Sequence, residues 1–320
     1  MLFRSTKLAT WRMIFSNISG ILAGMLGRDF FVTTLYPDAP QKGFLLMAVA
    51  FGLFFALPYI LTFRYCRETP HTQNAPSFQW NGIRGIVQAY IKEPFALRPF
   101  SALAAMFVFS FMAQDAVLAM AVYFLTSYLK MRSMMTLLVP TYLAVMAAIP
   151  IAEFASKNIG KKHTFLGACA FWLLAFAMIP FMTPGNLPML YLFGALFGTA
   201  VGGVQVMLFA MIADVPDADE LFSRLRREGL FTGILATLRK PCGALVIFLI
   251  GCGIQWAGYV PPEANVPQPQ SPTFLAALFA MFIGIPLLFL LLAMAACFRY
   301  PLSQDCHTRL KAILAAKAER

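Results

Sequence analysis

Residues Leu230–Gly258 read LFTGILATLRKPCGALVIFLIGCGIQWAG. The stretch is long and apolar enough to cross a bilayer, whose hydrocarbon core takes about 20 helical residues. Two adjacent cations, Arg239 and Lys240, interrupt it. Lys240 lies about ten residues in, roughly 15 Å deep by helical rise. An ionisable side chain at that depth costs about 2.5–3.5 kcal/mol on insertion scales, so it marks a functional position by default. Pro241 removes a backbone donor beside it and Gly243 loosens the local backbone, which predicts a helix broken near the midplane. The competing reading is a lysine whose stem lies along apolar surface while its amine reaches the interface.

Seven further runs share this character: Trp11–Leu35, Gly43–Phe63, Ser101–Leu129, Leu137–Phe154, Thr164–Met182, Pro188–Ala213 and Thr273–Phe298. The fold expected is therefore all-α and integral to the membrane, with about eight transmembrane helices. Composition agrees. Hydrophobic residues make up 60% of the 320 and charged residues 12%, far from the roughly 45–50% and 25% of soluble domains. Alternating strand patterns are absent, and barrel strands are only about ten residues long.

A net charge of +11 invites a nucleic-acid reading, but the cations sit in short segments between apolar runs, which is how membrane orientation is set. With Arg12 and Arg28 counted to the nearer segment, alternate segments carry 3, 5, 3, 3 and 5 Lys or Arg against 2, 2, 0 and 0. The richer side is expected in the cytoplasm. Both termini then lie there, in a multi-pass protein of the plasma (inner) membrane, with lipids and a small solute as partners and no nucleic acid. Met1–Arg12 is basic and runs straight into a span, unlike a signal peptide. Two amphipathic stretches are expected on the membrane surface: Phe78, Ile83, Ile86, Val87, Tyr90 and Ile91 beside Arg84, Gln88 and Lys92, and the tail Ser303–Arg320 with Leu310, Ile313 and Leu314.

Cys66, Cys169, Cys242, Cys252, Cys297 and Cys306 show no metal or disulfide spacing and read as packing residues. His71, His163 and His307 fall in loops or at span edges without a nucleophile–base pattern, so no enzyme, metal site or cofactor is expected.

The loop after the sixth run, ADVPDADELFSRLRREGLFTG, continues into ILATLRKPCGAL. It resembles the glycoside–pentoside–hexuronide:cation symporters, the melibiose-permease type of major facilitator. The resemblance rests on Asp214, Asp217, Glu220, Arg226, Arg227, Glu228, Gly229 and Lys240. RSTKLATWRMIFSNISGIL, with Arg12, looks like the entry to that family's fifth helix. SKNIGKKHTF looks like the basic loop after its eighth, and YPLSQDCHTRLKAIL like its tail.

The resemblance implies a partial facilitator fold lacking the first four helices. Residues 1–66 would be the last two helices of the N-terminal half, and 67–98 a cytoplasmic central loop. Residues 99–302 would form the six-helix C-terminal half, and 303–320 the tail. It implies transport of a sugar or related solute by alternating access, coupled to Na+ or H+, with a wrongly placed start as the expected reason for the missing helices. By resemblance Lys240 and Arg12 bind solute. Asp115, in mid-span after Gln114, is expected to contact solute, carry a proton or pair with Lys240. Gln205 is a further candidate. Asp214, Asp217, Glu220, Arg226, Arg227, Glu228 and Glu153, with Lys157, Lys161 and Lys162, would close a cytoplasmic gate through ion pairs between the halves, against the reading of a solvated loop. Two alternatives stand beside this. One is a lysophospholipid transporter of the same fold, to which a Phe-rich interior without a Trp on the sixth span gives a hint. The other is a non-transporting remnant or interaction protein. Gly194, Gly198 and Gly202 on the sixth span predict close helix packing.

Overall fold

Apolar runs that cannot leave backbone groups unpaired in hydrocarbon must form helices. The computed structural model of the chain has them. It describes residues 39–65, 88–131, 135–223, 227–261 and 268–302, with scattered positions before residue 39 and residue 85. Among these, seven helices are long and apolar enough to span a membrane, and no strand occurs. The chain is a multi-pass membrane protein. The expected span Trp11–Leu35 lies mostly outside the described residues, as do Arg12, Arg226, Cys66, Cys306, His71, His307, the tail from Ser303 and most of the stretch from Phe78. Gln88–Lys92, at the end of that stretch, is helical and runs into Glu93–Ala96.

The chain divides into two compact units, residues 15–82 and residue 83 onward. The first contains α1, Pro40–Tyr65. No residue in the apolar window of α1 is buried. Leu53, Phe54, Tyr59 and Phe63 stand exposed.

The second unit contains α2 (Arg98–Tyr123, extended by one wide turn to Tyr128), α3 (Met135–Ile159), α4 (Lys161–Met178) and α5 (Leu187–Ile212). The short α6 (Val215–Ser223), α7 (Glu228–Trp256) and α8 (Pro272–Arg299) follow. Asn186 and Ser271 cap α5 and α8 by accepting from the backbone N–H of Met189 and Phe274. α5 is the most enclosed span, packed between α3 and α4 and touching α2; α2 in turn packs on α7 and α8. Aromatic contacts fix these seams. Phe124 of α2 stacks on Phe282 of α8 at 4.4 Å, and Phe100 meets Phe231 of α7 at 4.9 Å.

The glycine stripe of α5 lies against α3. A methyl at Gly198 would overlap the Thr141 carbonyl oxygen and stand 2.9 Å from Ala144 Cβ; at Gly202 it would stand 2.8 Å from the Val145 carbonyl. Lipid tails are as apolar as Leu, so such close backbone approach is what holds membrane helices together. Gly198→Val should therefore lower stability by at least about 1–3 kcal/mol, the usual cost of overpacking. Gly167→Ala in α4, where a methyl meets nothing within 4 Å, should be neutral or stabilising. Equilibrium unfolding of both variants in mixed micelles checks the contrast; equal effects would remove the packing argument.

The helix across Pro241 corrects the sequence expectation. α7 is continuous from Glu228 to Trp256 with Pro241 inside it. One missing N–H costs a single ladder bond to the Thr237 carbonyl, and flanking turns on both sides keep their own. The middle of this span is therefore unbroken helix.

Candidate functional site

Three helices of the second unit bring polar side chains together at mid-span. Asp115 lies 17 residues into the 31-residue span of α2, roughly 25 Å along it by helical rise. Arg239 lies 11 residues into α7. Arg239 donates from Nη1 to Asp115 Oδ2 at 2.5 Å and from Nη2 to Oδ1 at 2.8 Å. This is the two-pronged geometry that suits a planar guanidinium to a carboxylate. The guanidinium also lies 4.5 Å over the Phe111 ring, one turn below Asp115, where the ring's negative face favours a cation. Beside the pair, Gln205 of α5 donates from Nε2 to Gln114 Oε1 at 3.0 Å.

Room for the pair comes from Gly243, one turn beyond Arg239. A methyl there would stand 2.6 Å from Asp115 Oδ2 and 2.8 Å from Arg239 Nη1. The glycine expected to loosen the helix instead leaves space for an ion pair within it.

Asp115 thus takes Arg239 as its partner, not Lys240. At 100° per residue, Arg239 shares the face of Phe231, Leu235, Val246 and Ile250, all buried. Lys240 points another 100° round. It is exposed and has no hydrogen bond or ion pair among the described residues. Its stripe holds Gly229, Gly233, Ala236, Ala244 and Gly251, all exposed, with Ile247 the one large member. A methyl at any of those three glycines meets nothing within 4 Å. Large side chains gather on the other flank, at Ile234, Leu238, Leu245 and Phe248.

At the end of the unit that bears the basic loops, a second set of charges is arranged. Lys161, at the start of α4, bonds Asp214 Oδ1 at 2.7 Å and the Ala210 carbonyl at 3.0 Å. Lys162 donates to the Phe298 and Tyr300 carbonyls at the end of α8, where the helix leaves acceptors unpaired. Arg227 grips Asp219 with two bonds of 2.9 Å and reaches Glu93 at 2.9 Å. The bonds to Asp219 foremost hold its proton more firmly than usual; burial opposes this and the bond to Glu93 adds to it. Glu153 bonds Lys157 one turn along α3 at 3.0 Å. Each of these pairs joins residues of one unit. Asp217 and Glu220 are half-buried on α6, and the Glu228 side chain lies outside the described residues. Asp219 and Glu93 are not among the residues expected from the sequence. Asp219 could have been, because it shares a helical face with Val215 and Ala218, and it is 1% exposed. Glu93 is brought in by tertiary packing that no local pattern announces. No group of His, Cys, Asp or Glu among the described residues is arranged to hold a metal ion.

Comparison with known proteins adds to this geometry. A family model described as MFS/sugar transport protein matches residues 4–304. An uncharacterized symporter of Synechocystis is 25% identical over 234 residues, covering 72% of this chain and 43% of the relative. An uncharacterized symporter of Bacillus subtilis is 27% identical over 283 residues, 85% of this chain and 58% of the relative. A glucuronide carrier protein homologue of Escherichia coli is 26% identical over 171 residues, 52% of this chain and 35% of the relative. The chain spans about half the length of the first two relatives.

Proposed function

The chain belongs to the MFS/sugar transport family, as its resemblance to the glycoside–pentoside–hexuronide:cation symporters leads one to expect, and from that premise we propose that it carries a sugar-like solute across the plasma membrane by symport with Na+ or H+. Membership of a transport family places it outside the enzymes. The relatives named as symporters support the symport reading, and the excess of basic residues on alternate segments supports cytoplasmic termini.

One observation carries the proposal. One cation, one carboxylate and two amides from three helices meet at mid-span, with Lys240 next along α7, at the depth where transporters hold their solutes. A polar cluster there is costly without a task. Asp115, Gln205 and Lys240 act as solute-facing groups, and the resemblance adds Arg12, which lies outside the described residues. The coupling ion supplies a difference in affinity between outward-open and inward-open states. Asp214, Asp217, Glu220, Glu153, Arg226, Arg227 and Glu228 form the cytoplasmic layer that must rearrange between those states. Individually exposed pairs contribute about 0–1 kcal/mol, so the layer acts as a network.

Proteoliposomes containing the full chain test the proposal. Labelled sugars should accumulate under an inward Na+ or H+ gradient and equilibrate once an ionophore dissipates it. Accumulation of labelled lysophospholipid without sugar would transfer the fold to a lipid cargo, and no uptake of either would end the transport reading.

A further inference from the structure

We infer that the Asp115–Arg239 pair is the seat of the coupling ion, and that this ion is a proton: Asp115 takes it up from one side of the membrane, gives up one bond to Arg239, and releases it on the other. The inference rests on the transport reading above and names the ion and its seat.

The pair suits a proton better than a metal ion. A hard cation is held by a cage of several oxygens. Both oxygens of Asp115 are already taken by Arg239, whose own charge would repel a second cation. Asp115 is also the only carboxylate among the described residues near the middle of a span. Glu153 stands six residues from the end of α3, and Asp214 lies beyond the end of α5. A proton needs one lone pair. It turns one carboxylate oxygen into a hydroxyl, which then loses its bond from Arg239, while the other oxygen keeps its own. The guanidinium stays charged and in place, because the Phe111 ring lies 4.5 Å from it and a ring face holds a cation without a carboxylate. Gly243 keeps side-chain atoms away from Oδ2, where a methyl would stand 2.6 Å off. Neither partner is sealed from water, since 13% of the Asp115 side chain and 30% of the Arg239 side chain are exposed.

Coupling follows from the donors. Ionised Asp115 occupies both prongs of Arg239. Protonated, it offers its own O–H and frees one Arg239 N–H. Those are two donors for the hydroxyls of a solute beside Gln114 and Gln205. Departure of the solute lets Arg239 reclaim the second oxygen and expels the proton to water. Solute and proton therefore favour each other's binding, one proton to one solute.

Few other charges face Asp115. α7 brings Arg239, with Cys242 packed at the core beside it, while Lys240 and Cys252 lie about 100° and 220° round the helix from Arg239. α5 offers only Tyr191 near its start, and α8 only Cys297 and Arg299 in its last turn. Glu93 and α6, with Asp217, Asp219 and Glu220, lie at the Arg227 end of α7. Arg227 is twelve residues before Arg239, roughly 18 Å along the helix.

Proteoliposomes containing the full chain test the inference, with labelled glucose, galactose, xylose and glucuronate as probes. For at least one sugar, an inward proton gradient alone should drive accumulation and an inward Na+ gradient alone should not. Adding that sugar to the purified protein in weakly buffered micelles should take up about one proton per sugar bound. Asp115→Asn should lose both the accumulation and the proton uptake, while exchange of labelled for unlabelled sugar continues. Asp115→Glu, which restores a carboxylate, should keep both, with the unfolding midpoint of each variant measured alongside. The inference is overturned if Asp115→Asn still accumulates sugar under a proton gradient, if it loses exchange as well at an unchanged midpoint, or if a folded Asp115→Glu takes up no proton. Accumulation driven by Na+ alone would overturn it and leave the transport reading standing. Absence of sugar uptake under either gradient would end both.

Discussion

Lys240→Ala should abolish solute uptake by the full chain in proteoliposomes while leaving the protein as stable as before, or more so. The two halves of that expectation have one cause. Lys240 is exposed on its unit and makes no bond among the described residues, so removing the amine breaks no bond among them. Alanine fits a stripe already made of Gly229, Gly233, Ala236 and Ala244. A cation at mid-membrane costs about 2.5–3.5 kcal/mol on insertion scales, and that cost disappears with the charge. A charge kept at mid-span at a cost to stability is the signature of function retained against stability. Uptake should therefore fall to background while the unfolding midpoint holds or rises. Uptake at the wild-type rate in this variant would sink the site. A lowered midpoint would mean that the amine has a structural partner.

The spans were legible because hydropathy over about 20 residues decides them. Ser101–Leu129 became the span Arg98–Tyr128, and Thr273–Phe298 became Pro272–Arg299. The Gly194, Gly198 and Gly202 stripe was legible too, since three small residues on one face leave little else to do than pack. What escaped was the partner of Asp115. Arg239 and Lys240 are adjacent, and either can reach across an interhelical gap. The choice is made by the rotation of α7, which is set by Phe231, Leu235, Val246 and Ile250 turning inward. Arg239 is on that face, so it meets α2, and Lys240 cannot. Read together, those four positions do predict the outcome. Lys240 stands out in the sequence as a charge in an apolar run, but the faces of its neighbours are the better guide. Pro241 misled for a related reason: a proline removes one bond, and whether the helix breaks depends on what the surrounding turns retain.

Arg239→Ala is the substitution with the largest expected effect on stability. Asp115 keeps only 13% of its side chain exposed and Arg239 30%, so the carboxylate is the more enclosed partner. Truncating the arginine leaves that carboxylate without its two strong bonds, and breaking such a pair by removing one member costs about 3–5 kcal/mol where burial is deep. The partial exposure of Arg239 places the expected loss near the lower end, about 3 kcal/mol. Asp115→Asn should cost less, because a long arginine stem can swing its head toward water. The double variant Asp115→Asn with Arg239→Gln removes both charges and should recover much of the loss, giving a coupling of roughly 1–3 kcal/mol in the cycle. Unfolding equilibria of the four proteins in mixed micelles measure it. Additivity within about 0.5 kcal/mol would mean the two side chains do not act together. The pair also fixes which way α7 faces. Releasing it leaves that orientation to Phe231, Leu235, Val246 and Ile250 alone, and a turn of one residue would swing Lys240 by 100°. Arg239→Ala should therefore also reduce uptake although Lys240 is still present, and the stability-recovering double variant should restore that uptake in part, because a neutral amide pair can hold the same seam.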